Sequence, residues 1–262
     1  MKKILKQAVI SAVLLSLAGG FSSCVNNPHK QKEMTGSNEL NTNLSPTQEV
    51  SPNIIVQEIG EDSSKIYLYK PIHLNTQLYH IRPEKTNEEF FLCVPAAYTT
   101  KDNKIDGIFI EDGVKLSNIV NTNKDLNGIC IVSNDGIEIK RLEEVNDALI
   151  TQIVNQKKSA FQQTLLVRNN TIVQVTAWQN RIFKRRAIIQ FDECFCIGES
   201  QYAVTIRDFQ ETLVKTGAKN AIYLDMGTWS EGWYKNHLGE RIVIGENMSN
   251  THRQTNWIVY KK

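Results

Sequence analysis

From about residue 53 onward, apolar positions fall into short runs bounded by Gly, Asn, Asp and Pro, a spacing of strands rather than of long helices. Asn53–Ile59, Lys65–Tyr69, Leu78–Ile81, Phe90–Val94, Gly107–Ile110, Gly128–Ser133 and Ile137–Ile139 read as strands. Asn134-Asp135-Gly136 separates the last two with a tight-turn signature. Leu142, Val145, Leu149 and Ile153 recur at helical spacing and predict a helix over 142–155. Two strand pairs follow: Phe161–Arg168 with Thr171–Val175, joined at Asn169-Asn170 as a hairpin, and Arg186–Phe191 with Phe195–Gly198. Thr205-Ile-Arg-Asp208 has the form of a capping box with Asp in place of Glu. Ile206, Phe209 and Leu213 give that helix an apolar face, and Gly217 is a natural stop. The strands Ala221–Asp225, Arg241–Ile244 and Trp257–Tyr260 complete the pattern. Many strands, two helices and mostly hairpin-length links predict an α+β fold, a single domain with a mixed, largely antiparallel sheet and a few helices.

The first residues carry a different pattern. Lys2, Lys3 and Lys6 precede a short apolar stretch, Ala8 to Ala18, too short to span a bilayer and charged on one side only. This predicts an export signal over residues 1–23. Phe21-Ser-Ser-Cys24 places an apolar residue three before a cysteine with two small residues between, and resembles the lipobox of bacterial lipoproteins. In that reading Cys24 becomes the N-terminus, carries lipid and holds the protein to a membrane without a spanning helix, in the cell envelope facing periplasm or cell surface. Ordinary signal cleavage, leaving Cys24 a plain residue, is the other reading, and it exports the chain too. Residues 24–52 are polar, with almost nothing to bury, and predict a tether. Residues 53–262 form the domain, about 210 residues and enough for one sizeable core.

A formal net charge of +2 argues against nucleic acid as the main partner, since a phosphate-backbone binder shows a basic excess. Cys93, Cys130, Cys194 and Cys196 lie in apolar runs and read as buried, small-hydrophobe side chains on strands. Export also permits disulfides. No Cys-x2-Cys pair or spaced His partner accompanies them, so no zinc site is expected, and no motif asks for any other metal or cofactor.

Candidate chemistry concentrates after the second helix. The apolar strand from Ala221 runs into Asp225, followed by Gly227, Thr228, Trp229, Ser230 and Gly232. A carboxylate at the end of a buried strand, opening into a Gly-rich turn, is a common place for a site. A turn-capping role through its own side chain is the competing reading of Asp225. Trp229, Trp233 and Tyr234 could stack on a sugar ring or simply cover the end of the sheet. Glu231 reads as a solvated loop charge, with a second catalytic carboxylate as the alternative. His237 and His252 sit in polar loops without a partner at recognisable spacing.

Several segments taken in order resemble the phosphodiester glycosidase family over roughly residues 90 to 235. Its pattern of a helix, a lone Gly, then Asn-Leu-Asp-Gly-Gly and small hydroxyl residues is similar to Thr205–Gly217 followed by Tyr223-Leu-Asp225-Met-Gly227-Thr228-Trp-Ser230. Arg185-Arg-Ala-Ile-Ile189 resembles its Arg-x-Ala-Ile-Gly strand, Gln162-Gln163-Thr-Leu-Leu-Val167 its Gln-Ser-Gly-Pro-x-Leu-Val strand, and Gly128-Ile-Cys-Ile131 its Gly-Asn-Phe-type strand. The chain departs from the pattern at Met226 and Tyr223, and Val94-Pro-Ala-Ala-Tyr98-Thr99 stands where the family has a glycine-rich turn.

The resemblance implies hydrolysis of a glycosyl phosphodiester in a glycan or surface polymer. It gives Asp225 as the acid/base or stabilising carboxylate and Arg185 as the phosphate clamp. Arg185 and Arg186 alternate faces of a strand, so only one can enter a cleft. Gln163, Gly227, Thr228, Ser230 and Trp229 would contact a carbohydrate or glycosyl-phosphate substrate. The glycines lost at Met226 and in the Val94–Thr99 turn remove room for a ligand near the backbone, which favours the alternative of a glycan-binding envelope lipoprotein without catalysis.

Overall fold

The computed structural model describes residues 51–118, 124–176, 179–192, 194–227, 230–246 and 251–262. The expected export signal, most of the tether, Cys24, Thr228 and Trp229 lie outside them.

The described chain forms seventeen strands, two α-helices and three short 3-10 turns. In order the strands are β1 (Asn53–Ile59), β2 (Ile66–Ile72), β3 (Asn75–Tyr79), β4 (Phe90–Pro95), β5 (Ile108–Glu111), β6 (Val114–Asn118), β7 (Gly128–Ser133) and β8 (Gly136–Arg141). Helix α1 (Asp147–Asn155) leads into β9 (Ser159–Gln163), β10 (Leu165–Arg168), β11 (Thr171–Ile172), β12 (Arg186–Gln190) and β13 (Phe195–Ser200). Helix α2 (Ile206–Lys215) is followed by β14 (Asn220–Tyr223), β15 (Gly232–Lys235), β16 (Arg241–Ile244) and β17 (Trp257–Lys261). This is the α+β architecture the pattern predicts, with its strands divided among three sheets. Seven strands run in the order β1-β2-β13-β12-β14-β10-β11, five as β16-β15-β4-β17-β3 and five as β6-β5-β9-β7-β8. The pairings among these strands are antiparallel.

The continuous apolar runs have a packing cause: the central strands are buried on both faces. On β12, Ile188 points into the core shared by the three sheets, while Ala187 and Ile189 pack with Phe209 and Leu213 of α2. On β7, Cys130 and Val132 face the shared core, and Ile129 and Ile131 face Ile153 of α1. Each helix therefore covers the back of one sheet. Thr205 caps α2 by accepting from the Asp208 amide at 3.1 Å, as its sequence predicts. Helix α1 starts later than its periodicity suggests, because Asn146 caps it through the Leu149 amide at 2.9 Å.

Three local expectations need correction. The run 161–168 is two strands in two sheets, broken at Thr164, whose carbonyl accepts from the Tyr223 amide at 2.8 Å. No turn residue marks that break. The Trp-rich stretch, which reads as loop, includes β15. A Cβ at Gly232 would stand 2.6 Å from Val94 Cγ1 and 2.7 Å from the Cys93 carbonyl oxygen, so glycine there permits close approach to β4. Cys194 is exposed just ahead of β13, whereas Cys93, Cys130 and Cys196 are buried; all four are free thiols.

Candidate active site

Strand β14 lies inside the seven-stranded sheet, between β12 and β10, and the chain leaves its end through Leu224 and Asp225. The Asp225 amide donates to the Ala96 carbonyl at 2.9 Å, and the Gln163 amide side chain reaches the same oxygen at 3.5 Å. One carbonyl in the segment after β4 thus gathers β14 and β9. That segment is pinned in turn from the far end of the chain. Asn256 accepts from the Ala97 amide at 2.6 Å and donates to the Ala97 carbonyl at 3.0 Å. Gln254 accepts from the Thr99 hydroxyl at 3.1 Å.

Asp225 is 3 % exposed. It accepts from the Thr99 amide at 3.2 Å, with further hydrogen bonds to the Met226 amide and the Gln254 side chain. Burial dominates those donors and pushes its pKa up to about 8, which leaves the group protonated at neutral pH. Gln163 is fully buried and spends its side-chain oxygen on the Thr164 amide at 2.8 Å.

Beside the end of β14 lies a cavity of about 150 Å³ lined by Tyr98, Arg181, Phe183, Arg185, Tyr223, Met226 and Gly227. Arg185 is 2 % exposed. Its guanidinium donates to the Tyr223 hydroxyl at 3.3 Å, the Val204 carbonyl at 3.3 Å and the Arg181 carbonyl at 2.5 Å. It also lies over the rings of Phe183 and Tyr223, 5.4 and 5.9 Å from their centroids. Every one of these acceptors is neutral, and no described carboxylate stands within salt-bridge distance. Gly227 has φ of 87°, a left-handed conformation that favours glycine, and open space where a Cβ would be. Burial raises the pKa of Tyr98 and Tyr223, and Tyr98 stands within electrostatic reach of both Asp225 and Arg185.

The expected site residues divide accordingly. Arg185 and Gly227 line the cavity. Asp225 adjoins it in the chain but turns its carboxyl toward Thr99 and Gln254. Gln163 is fixed beneath, on the Ala96 carbonyl. Ser230 is elsewhere: its hydroxyl accepts from the Glu246 amide at 3.1 Å and its carbonyl accepts from Arg186 at 2.9 Å. Glu231, expected as a solvated charge, is buried and accepts from Arg82 at 2.5 Å and Lys85 at 2.7 Å, which hold its pKa down against the opposing effect of burial. Trp233 is buried among Phe90, Cys93, Trp257 and Val259. Thr99, Gln254 and Asn256 escaped the sequence reading. Only strand register reveals them: Trp257 of β17 pairs with Pro95 of β4, which sets the polar residues before β17 against those after β4. A larger cleft of about 640 Å³, with Asp112, Lys157, Lys158 and Lys261 in its walls, shares none of these residues.

Fold and site define an antiparallel α+β domain with a protonated carboxyl just after β14 and a buried guanidinium just before its neighbour β12. The sequence profile of the phosphodiester glycosidases matches residues 92–259, and the chain belongs to that family of hydrolases. No curated protein sequence matches it. Among solved structures it is similar to the catalytic domain of zebrafish N-acetylglucosamine-1-phosphodiester alpha-N-acetylglucosaminidase, auto-inhibited by its pro-peptide. That likeness has a TM-score of 0.55 and 14% identity over 83% of this chain and 85% of that one. It is also similar to a hypothetical protein from Synechocystis, with a TM-score of 0.52 and 10% identity over 80% of this chain and 62% of that one. At these identities the structural likenesses carry the fold.

Proposed function

We propose that this protein is an exported, lipid-anchored hydrolase of the cell envelope that cleaves a glycosyl phosphodiester in a glycan or surface polymer. The observation that carries the reading is Arg185. A buried guanidinium with only neutral acceptors, facing a cavity, is an incomplete ion pair, and a phosphodiester anion completes it. The bond broken is that between the sugar's anomeric carbon and the bridging phosphate oxygen. Water supplies the new hydroxyl at that carbon, and the phosphate leaves as the monoester of the other arm. A phosphate monoester is a stable leaving group, so little acid assistance is needed there. Asp225, once ionised, takes the proton from the attacking water or stabilises the oxocarbenium-like centre. Met226, a flexible thioether, is the cavity-wall residue next to Asp225 in the chain.

The test uses the full chain purified from membranes and a panel of sugar 1-phosphodiesters, with N-acetylglucosamine among the sugars. Free sugar from at least one member, and none from Asp225→Asn, is the expected result. No release across the panel overturns the hydrolase reading. One observation favours the second reading, a glycan-binding lipoprotein: the Asp225 carboxyl is absent from the cavity lining. Tight sugar-phosphate binding without turnover, unaltered by Met226→Gly, is its signature. For the anchor, Cys24→Ala is expected to abolish incorporation of labelled fatty acid and to move the protein into the soluble fraction. Unchanged partitioning would assign Cys24 to ordinary cleavage.

A further inference from the structure

The walls of the Arg185 cavity restrict the group on the far side of the phosphate, given that the site hydrolyses a glycosyl phosphodiester. Apart from the two arginines, its side chains are Tyr98, Phe183, Tyr223 and Met226. Phe183 is 45% exposed and its neighbour Ile182 is 62% exposed. These two are not on a fraying loop. The Phe183 amide donates to the Val204 carbonyl at 3.2 Å, and the Val204 amide returns the bond at 2.8 Å. Phe183 is therefore held at the cavity while facing water; Ile182, its neighbour in the chain, is not part of the lining. Single exposed apolar residues are ordinary on protein surfaces. Phe183 with Tyr98, Tyr223 and Met226, beside a buried cation that has no counter-ion among the described residues, forms an amphipathic receptor, with charge at depth and apolar surface outside.

A sugar or glycerol arm would need hydrogen-bonding partners in place of water. The walls provide few. The Tyr223 hydroxyl accepts from Arg185 and keeps only its own O–H to donate, the Tyr98 hydroxyl has a partner in Thr164, and Phe183 and Met226 have little or nothing to offer. Arg181, whose exposed side chain also lines the cavity, suits the negative phosphate rather than a neutral polyol.

We propose that the preferred substrate is a sugar 1-phosphodiester whose other arm is a lipid alcohol, with the phosphate on Arg185 and the chain leaving along Phe183. Hydrolysis then releases free sugar and the lipid alcohol's phosphate monoester, with water as the only co-reactant.

The experiment compares two diesters of each panel sugar, one with an octyl arm below its micelle concentration and one with a glycerol arm. The full-length protein is expected to show a kcat/KM at least about ten-fold higher for the octyl diester, the scale of discrimination that an apolar pocket gives. Phe183→Ser is expected to bring the ratio close to unity, and an unchanged thermal midpoint would show that the fold is intact. Equal rates, or faster release from the glycerol diester, overturn the lipid inference and leave the hydrolase reading standing. If neither diester releases sugar, the hydrolase reading fails, and calorimetric titration still decides the selectivity. Octyl binding about ten-fold tighter than glycerol supports the receptor, and equal binding overturns it.

Discussion

Arg185 and Arg186 are consecutive, equally buried and chemically identical, yet their surroundings are opposite. Strand geometry sends them to opposite faces. Arg186 donates to the Glu199 carboxylate on β13, with its Nε at 2.8 Å, and to the Ser230 carbonyl. The other Glu199 oxygen accepts from the Gly245 amide at 3.0 Å. This charge is neutralised inside the protein and joins β12 and β13 to the segments around β15 and β16. Arg185 has full burial, neutral acceptors and a cavity in front of it. Burial alone therefore does not separate a structural charge from a functional one. The partner set does, because a charge left without its opposite retains its attraction for a ligand.

The contrast breaks most visibly at the paired arginine. Glu199→Ala leaves Arg186 buried without a counter-charge and the Gly245 amide without its acceptor, and is expected to cost about 3–5 kcal/mol of folding stability. Joint replacement of Arg186 and Glu199 by Met and Leu should cost much less, because no lone charge remains. Urea unfolding midpoints of the three proteins decide this. Equal losses in the single and double variants would show that the pair is not what holds the region.

Arg185→Gln is the matched change on the other face. It keeps some hydrogen bonding to Tyr223 and the Val204 carbonyl, so its stability loss is expected to be about 1 kcal/mol. Its loss of sugar release is expected to be about 100-fold, since it removes the charge that the phosphate meets. A stability loss as large as that of Glu199→Ala, with turnover retained, would make Arg185 structural and erase the contrast.

The same two residues show how far the sequence could be read. Alternation along a strand is local geometry, so separate faces for Arg185 and Arg186 were legible, as were most strands, the cap at Thr205 and the Asn169-Asn170 turn. These features depend on near neighbours in the chain. What was not legible depends on register between distant segments. Glu199 gave no sign that it would neutralise Arg186, Glu231 none that Arg82 and Lys85 would reach it from far upstream, and Gln254 none that it would stand beside Asp225. The break at Thr164 belongs to the same class, since its carbonyl is occupied by an amide of β14 rather than by any local turn. Asp225 itself was visible as a carboxylate at a strand end, but its protonation follows from burial, which only the packed fold supplies.

Asp225 sharpens the comparison with an effect that is smallest near neutral pH, because it is a third buried ionisable group that meets its environment by staying neutral. Its folded-state pKa of about 8 stands above the ordinary 3.8. Between those values the unfolded chain releases the proton and the folded chain keeps it, so stability falls as pH rises from about 4 to about 8 and then levels off. The slope reaches about 1.4 kcal/mol per pH unit at most. Between pH 7 and 8 the expected loss is about 1 kcal/mol or less, since folded Asp225 is by then partly ionised. Asp225→Asn cannot ionise and should show no such slope from this position. Denaturation of both proteins across that range measures the difference, and parallel curves would mean that the carboxyl is already ionised in the fold. Activity should run the other way. A general base works only when deprotonated, so sugar release should climb with pH up to about 8, through the range where the folded domain loses stability. A rate that instead falls through that range would assign Asp225 the opposite role, as the proton donor.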